Sequence, residues 1–141
     1  MINYFTMSNG NTLVDLPGYG YAKAPPRERD AWAKLVEFYF NESRALRGVV
    51  IVMDIRRPLQ EMDCQMIDWC EAQNLPLLLL LNKSDKLKKG AASNALLRVK
   101  RLVEDVAVDC RVLNFSAFKK TGLDALHEHL NDWLKPIPLN D

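Results

Sequence analysis

The chain has 141 residues, with 19 Lys plus Arg against 18 Asp plus Glu and a formal net charge of +1. That length suits one ordinary domain of about 100–150 residues, and a composition 48% hydrophobic and 26% charged, with 6 Gly and 7 Pro, excludes disordered, collagen-like and low-complexity classes. The near-neutral balance makes no general electrostatic case for nucleic acid or anionic membrane, so any such surface must be local.

Strand and helix signals alternate along the chain. Residues 1–7 are aromatic and β-branched enough for a strand, Ser8-Asn9-Gly10-Asn11 signals a turn, and residues 12–15 make a short second strand. Together they predict an antiparallel hairpin. Residues 16–26 form a loop broken by Pro17, Gly18 and Gly20, and Pro25 and Pro26 precede a helix start, where proline is tolerated. In the first helix Trp32, Leu35, Val36 and Tyr39 follow helical spacing. Residues 48–54 (GVVIVMD) are a continuous apolar run, the pattern of a parallel strand buried on both faces. Pro58 opens the second helix, whose Leu59, Met62, Met66, Trp69 and Cys70 share a face. Residues 77–81 make the next buried strand, and a third helix carries Val99, Leu102, Val103 and Val106. The last strand spans residues 110–115; the last helix carries Leu123, Leu126, Leu130, Trp133 and Leu134, and Pro136 and Pro138 follow.

This order predicts an α/β fold with a mostly parallel sheet. The longest apolar run, residues 75–81, holds a proline and falls far short of the roughly 20 residues of a spanning helix, so no membrane association is expected. The cysteines, Cys64, Cys70 and Cys110, show no pairing pattern, and residues 1–5 lack leader character. A reduced, cytoplasmic setting is the expectation. Cys64 and Cys70 read as core or interface positions of the second helix. His127 and His129 lie two apart on a helix, face different directions, and read as solvated positions beside Glu128 rather than as a metal pair.

Ligands of parallel sheets bind outside the carboxyl ends of the strands, which directs attention to Asp15, Asp54, Asn82 and Ser116. Asp15-Leu16-Pro17-Gly18 places a carboxylate at a strand end, able to hold Mg²⁺ directly or through water. The glycine after it lets a backbone N–H approach a terminal phosphate. Asn82-Lys83-Ser84-Asp85 follows the leucine strand. Guanine offers N1–H and N2–H₂ as adjacent donors, which one carboxylate accepts as a fork; adenine lacks the pair and would leave a buried carboxylate unmatched. The Lys83 stem can lie across the purine, and the Asn82 amide can tie neighbouring loops. Phe115-Ser116-Ala117 supplies small residues where a backbone N–H can reach the guanine O6. Read singly, each is equally a turn into a helix, with Thr121 or Asp124 as cap after the last strand.

The order D-x-x-G, N-K-x-D, S-A resembles the guanine-nucleotide loops of P-loop GTPases. Val14-Asp15-Leu16-Pro17-Gly18-Tyr19-Gly20-Tyr21-Ala22 and Met53-Asp54-Ile55-Arg56-Arg57-Pro58-Leu59 resemble, more narrowly, the EngB (YihA/YsxC) family of bacterial ribosome-assembly GTPases, over residues 1–133. The resemblance implies a three-layer G domain over residues 1–135 and a short tail over 136–141. It implies GTP or GDP as ligand, with Mg²⁺, and a slow GTPase, since Tyr19 stands where many small GTPases place a water-orienting glutamine. It implies a role in large ribosomal subunit assembly, with ribosomal RNA as partner, and in division septum formation. Asp15 would be an indirect Mg²⁺ partner, and Gly18 the γ-phosphate sensor, flanked by Leu16 and Pro17. Asn82, Lys83, Ser84 and Asp85 would form the guanine loop, supported by Phe115, Ser116 and Ala117. The basic residues Lys86, Lys88, Lys89, Arg56 and Arg57 are a solvated surface or a contact for RNA phosphates.

The 141 residues hold no G-x-x-x-x-G-K-[ST]. Family members carry that loop, a first strand and helix, and a switch I threonine before the region that matches here. In the family fold the first strand lies between the strand at residues 12–15 and that at residues 48–54. Without it two sheet edges stand unpaired. A few hundred Å² of bare apolar surface, at about 25 cal/mol per Å², amounts to several kcal/mol. The expectation is therefore an incomplete or mis-started reading frame, or a fragment that repairs its sheet or dimerises through the exposed edges. Three functions follow: a GTP-binding switch protein, a nucleotide-independent fragment with only a ribosome or protein interaction surface, or a non-functional product.

Overall fold

A computed structural model describes residues 3–8, 10–16, 25–42 and 45–135. The chain divides into two units, Met1–Ala45 with Leu134–Asp141, and Leu46–Trp133. Among the described residues five strands form two sheets, an antiparallel pair and a parallel three-stranded sheet.

In the first unit β1 (Asn3–Thr6) and β2 (Thr12–Asp15) pair antiparallel, with Tyr4 opposite Val14 and Phe5 opposite Leu13. The turn between them is closed by Met7 N–H donating to Asn11 O at 2.8 Å and Gly10 N–H donating to Met7 O at 3.0 Å. Gly10 has φ +86°, a left-handed conformation that glycine adopts without steric cost. Met7 is thus the first turn residue and not, as its side chain suggested, a strand residue. Helix α1 spans Pro26–Glu42 and buries Val36 and Phe40. The predicted stripe is shifted: Leu35 is 39% exposed, and Phe40, one turn beyond Val36, takes the inward position.

In the second unit β3 (Val49–Asp54), β4 (Leu77–Asn82) and β5 (Cys110–Asn114) run parallel in that order. The register pairs Asp54 with Asn82 and Leu81 with Asn114, which brings the strand ends level. All five leucines of β4 are buried, as a central strand covered on both faces requires. Strand β3 departs from its predicted burial. It pairs on one side only, and Val52 is 58% exposed between buried Ile51 and Met53. An edge strand with one open face alternates, whatever its hydrophobicity.

Helix α2 spans Glu61–Ala72, three residues later than Pro58 suggested. Leu59 sits at φ 56°, which ends any helical path from Pro58, and the Asp63 carboxylate caps the start by accepting from Gln60 N–H at 2.9 Å. Its buried residues are Asp63, Met66, Ile67 and Cys70. Cys64 is exposed, which removes the core alternative for it, while Cys70 is buried. A single turn of 3₁₀ helix at Ser84–Lys86 leads to α3 (Lys89–Leu102). The inward stripe of α3 is Ala92, Ala95 and Val99, continued by Val103; Leu102 is 65% exposed and Val106 lies beyond the helix end. Helix α4 (Leu123–Trp133) seats the Trp133 ring on Gly48, where a Cβ would stand 2.6 Å from the ring. His129 meets Trp133 edge to face at 4.7 Å and its Nε2 is buried, so only His127 is the solvated position expected.

Candidate functional site

The three strand ends of the second unit carry Asp54, Asn82 and the loop after Asn114, and backbone hydrogen bonds hold them together. Asn82 O accepts from Ile55 N–H at 2.9 Å, Phe115 N–H donates to Leu81 O at 2.9 Å, and Ser84 N–H donates to Phe115 O at 3.0 Å. The loops after β4 and β5 are therefore fastened side by side. The Asn82 side chain adds a cross-link: its Oδ1 accepts from Ala117 N–H at 3.1 Å. The predicted loop-tying role of Asn82 has this geometric form.

Lys83 has φ 63° and ψ 30°, a left-handed turn that swings the chain out of β4 into the 3₁₀ turn. That turn presents Asp85 toward the neighbouring loop. Ser116 Oγ donates to Asp85 Oδ1 at 2.7 Å, and the same Oγ accepts from Lys119 N–H at 3.0 Å. Ser116 is wholly buried, and its N–H donates to Thr121 O at 3.0 Å. Thr121 thus serves through its backbone carbonyl. The Ser116 hydroxyl holds the Asp85 carboxyl below the usual carboxylate range, with Lys86 and Lys119 adding in the same direction. Asp85 is half-buried and ionised. A carboxylate has about four lone-pair sites, so one serine leaves it capacity to accept further donors.

Two features of this site carried no assigned role in the sequence reading. One is Gly122, at φ 81°, whose absent Cβ would fall 2.5 Å from Asn114 O; it lets the chain double back beneath the 115–121 loop. The other is the cluster of Asp54, Arg56 and Lys83. Arg56 N–H and Nε donate to Asp54 Oδ1 at 2.9 and 3.0 Å, Nη2 donates to Oδ2 at 2.7 Å, and Lys83 Nζ lies 3.5 Å from Oδ2. The Arg56 guanidinium holds the Asp54 carboxyl far below the usual range. Asp54 and Lys83 stood in two different motifs, and their separation of 29 positions hid the meeting.

Asp15 is exposed at the end of β2 and Leu16 beside it is half-buried. Pro17, Gly18, Tyr19 and Gly20 lie outside the described residues. Among the described residues no group of three His, Cys, Asp or Glu side chains converges as a metal site. No described helix is long and apolar enough to cross a membrane.

The fold matches solved structures closely in geometry. A crystal structure titled as that of a probable GTP-binding protein engB superposes with a TM-score of 0.75 at 16% identity, covering 94% of this chain and 82% of that one. The apo elongation factor SelB of Methanococcus maripaludis gives 0.72 at 18% identity, over 94% of this chain and 27% of that one. The architecture is the α/β fold of the P-loop GTPase class, built here from a parallel three-stranded sheet and an antiparallel hairpin. Sequence similarity narrows the class. The chain is 46% identical over 134 residues to the "Probable GTP-binding protein EngB" of Nitrosococcus oceani, covering 95% of this chain and 67% of that protein. It is 44% identical over 137 residues to the protein of that name from Pasteurella multocida, covering 97% and 67%. The chain belongs to the EngB family. It spans about two thirds of the length of these relatives. No family model matches it.

Proposed function

We propose that this chain binds a guanine nucleotide, GTP or GDP, with the base held between residues 82–85 and 115–117. The observation that carries the reading is the ionised Asp85 carboxylate, oriented by a buried serine at the carboxyl end of a parallel sheet. Guanine N1–H and N2–H₂ would donate to Asp85, and the Ala117 region would face O6. Lys83, extending from a left-handed turn, would lie along the purine face. The wrong base would offer the carboxylate no donor pair beyond Ser116, which disfavours adenine. Membership of a family whose relatives carry "GTP-binding" in their names supports the same ligand. The family resemblance assigns residues 15–18 to the terminal phosphate.

The finer reading is that the chain serves assembly of the large ribosomal subunit and, through it, division. The resemblance supports it, as do the exposed cations Lys86, Lys88 and Lys89 beside the base loop, which suit RNA phosphates. A second reading, an interaction surface without nucleotide, is favoured by the missing G-x-x-x-x-G-K-[ST].

Base competition separates the two. Guanine, adenine and xanthine nucleotides are titrated against the chain and against its Asp85→Asn variant. Guanine preference is expected in the former. In the variant guanine weakens by about tenfold or more and xanthine gains, because xanthine offers an acceptor where guanine offers a donor. Equal binding of all bases, or none, favours the second reading.

A further inference from the structure

We infer that Asp54 is a positioning residue for Lys83, so that the end of β3 sets how tightly the loop after β4 holds its nucleotide. This rests on the guanine reading above and extends it to a residue on a different strand. The carboxylate is itself immobilised. Three donors of Arg56 reach it, two from the guanidinium as a fork on both oxygens and one from the backbone N–H. Such bidentate pairs fix direction as well as distance. Lys83 then has both ends defined: its backbone by the left-handed turn and its ammonium by Asp54 Oδ2 at 3.5 Å.

Two physical arguments make this a matter of ligand affinity rather than of folding. First, the pair is solvent-facing, with Lys83 53% and Asp54 29% exposed, and exposed pairs add little to stability. Second, a lysine side chain gives up rotamer freedom when it is ordered, and one ordered beforehand gives up less when a ligand arrives. Arg56 and Lys83 share the same carboxylate. Asp54, Arg56 and Lys83 thus act as a preset arm over the site formed by Asn82, Asp85 and Ser116.

The test is a double-mutant cycle with GDP as probe, titrated to millimolar concentration and followed by NMR. Asp54→Asn keeps the acceptor for Arg56 N–H and removes the charge. It is expected to weaken GDP about three- to fivefold in the unaltered background and to change nothing once Lys83→Met is present. Arg56→Gln, which releases the carboxylate, is expected to act in the same direction, again only with Lys83 in place. The thermal midpoint should not move in Asp54→Asn. Equal losses in both backgrounds would mean that Asp54 merely maintains the loop, and would overturn the inference, as would no loss at all. If the unaltered chain takes up no GDP, the guanine reading falls and this inference with it. If GDP binds and the cycle is additive, only this inference falls.

Discussion

Asp63 is 3% exposed, and its burial pushes the carboxyl from 3.8 up to about 6 although Gln60 N–H donates to it. The folded state therefore holds a proton that the unfolded state has lost between those values. Stability must fall as pH rises from about 4 to about 6, by roughly 2 kcal/mol. Asp63→Asn keeps an acceptor at the helix start and cannot ionise. Urea melts of both chains across that window should show the gap opening in favour of the variant as pH rises; a constant gap would refute the assignment. At the same scale, the chemistry of Asn82, Lys83 and Asp85 was legible because carboxamide, ammonium and carboxylate occur at fixed spacing after a strand. The hydroxyl of Ser116 that orients Asp85 was not, since the two lie 31 positions apart and no local spacing relates them.

Elements were legible where a local rule governs them. The leucine strand, the hairpin turn at Gly10 and the amphipathic helices follow from hydrophobic period and turn chemistry. Boundaries and faces followed less well. Pro58 is compatible with a helix start, but Asp63 capping at Gln60 moves the start to Glu61. Val52 is as apolar as its neighbours and stands exposed, because exposure depends on what lies beside β3 and not on Val52. Gly122 tests the element that carries the site. Gly122→Ala adds a Cβ 2.5 Å from Asn114 O in a left-handed conformation. The expected cost is about 2 kcal/mol or more in urea melts, with weaker guanine binding, since the 115–121 loop must shift. Unchanged stability and affinity would show that the loop relaxes without moving Ser116.

At the scale of the molecule, the proposed guanine site draws on residues 82–85 and 115–117, and the phosphate-binding loop of P-loop GTPases is not among the 141 residues. The 141 residues offer Asp15 and the glycine after it but no Gly-Lys-Ser/Thr cradle. A triphosphate then lacks its main counter-charges. This polypeptide should bind GDP at least about a hundredfold more weakly than one given a preceding G-x-x-x-x-G-K-S segment, a difference of about 2.7 kcal/mol by titration calorimetry. Equal affinities would show that base contacts suffice. The hairpin and the parallel sheet are separate sheets, and a two-stranded hairpin alone is marginal in water. Its exposed Tyr4 and Phe5 fit that account.

The order of strands and helices, the central place of the leucine run and the residue types at the strand ends were written in the sequence, because each depends on neighbours a few positions away. Tertiary structure alone decided which of them meet. Ser116 reaches Asp85 across 31 positions and Ala117 reaches Asn82 across 35, because parallel register sets the ends of β4 and β5 side by side. It also decided that Asp54 faces Lys83 and that one face of β3 stays open. Such pairings depend on the order in which strands assemble and on what covers them, and no local spacing along the chain encodes either.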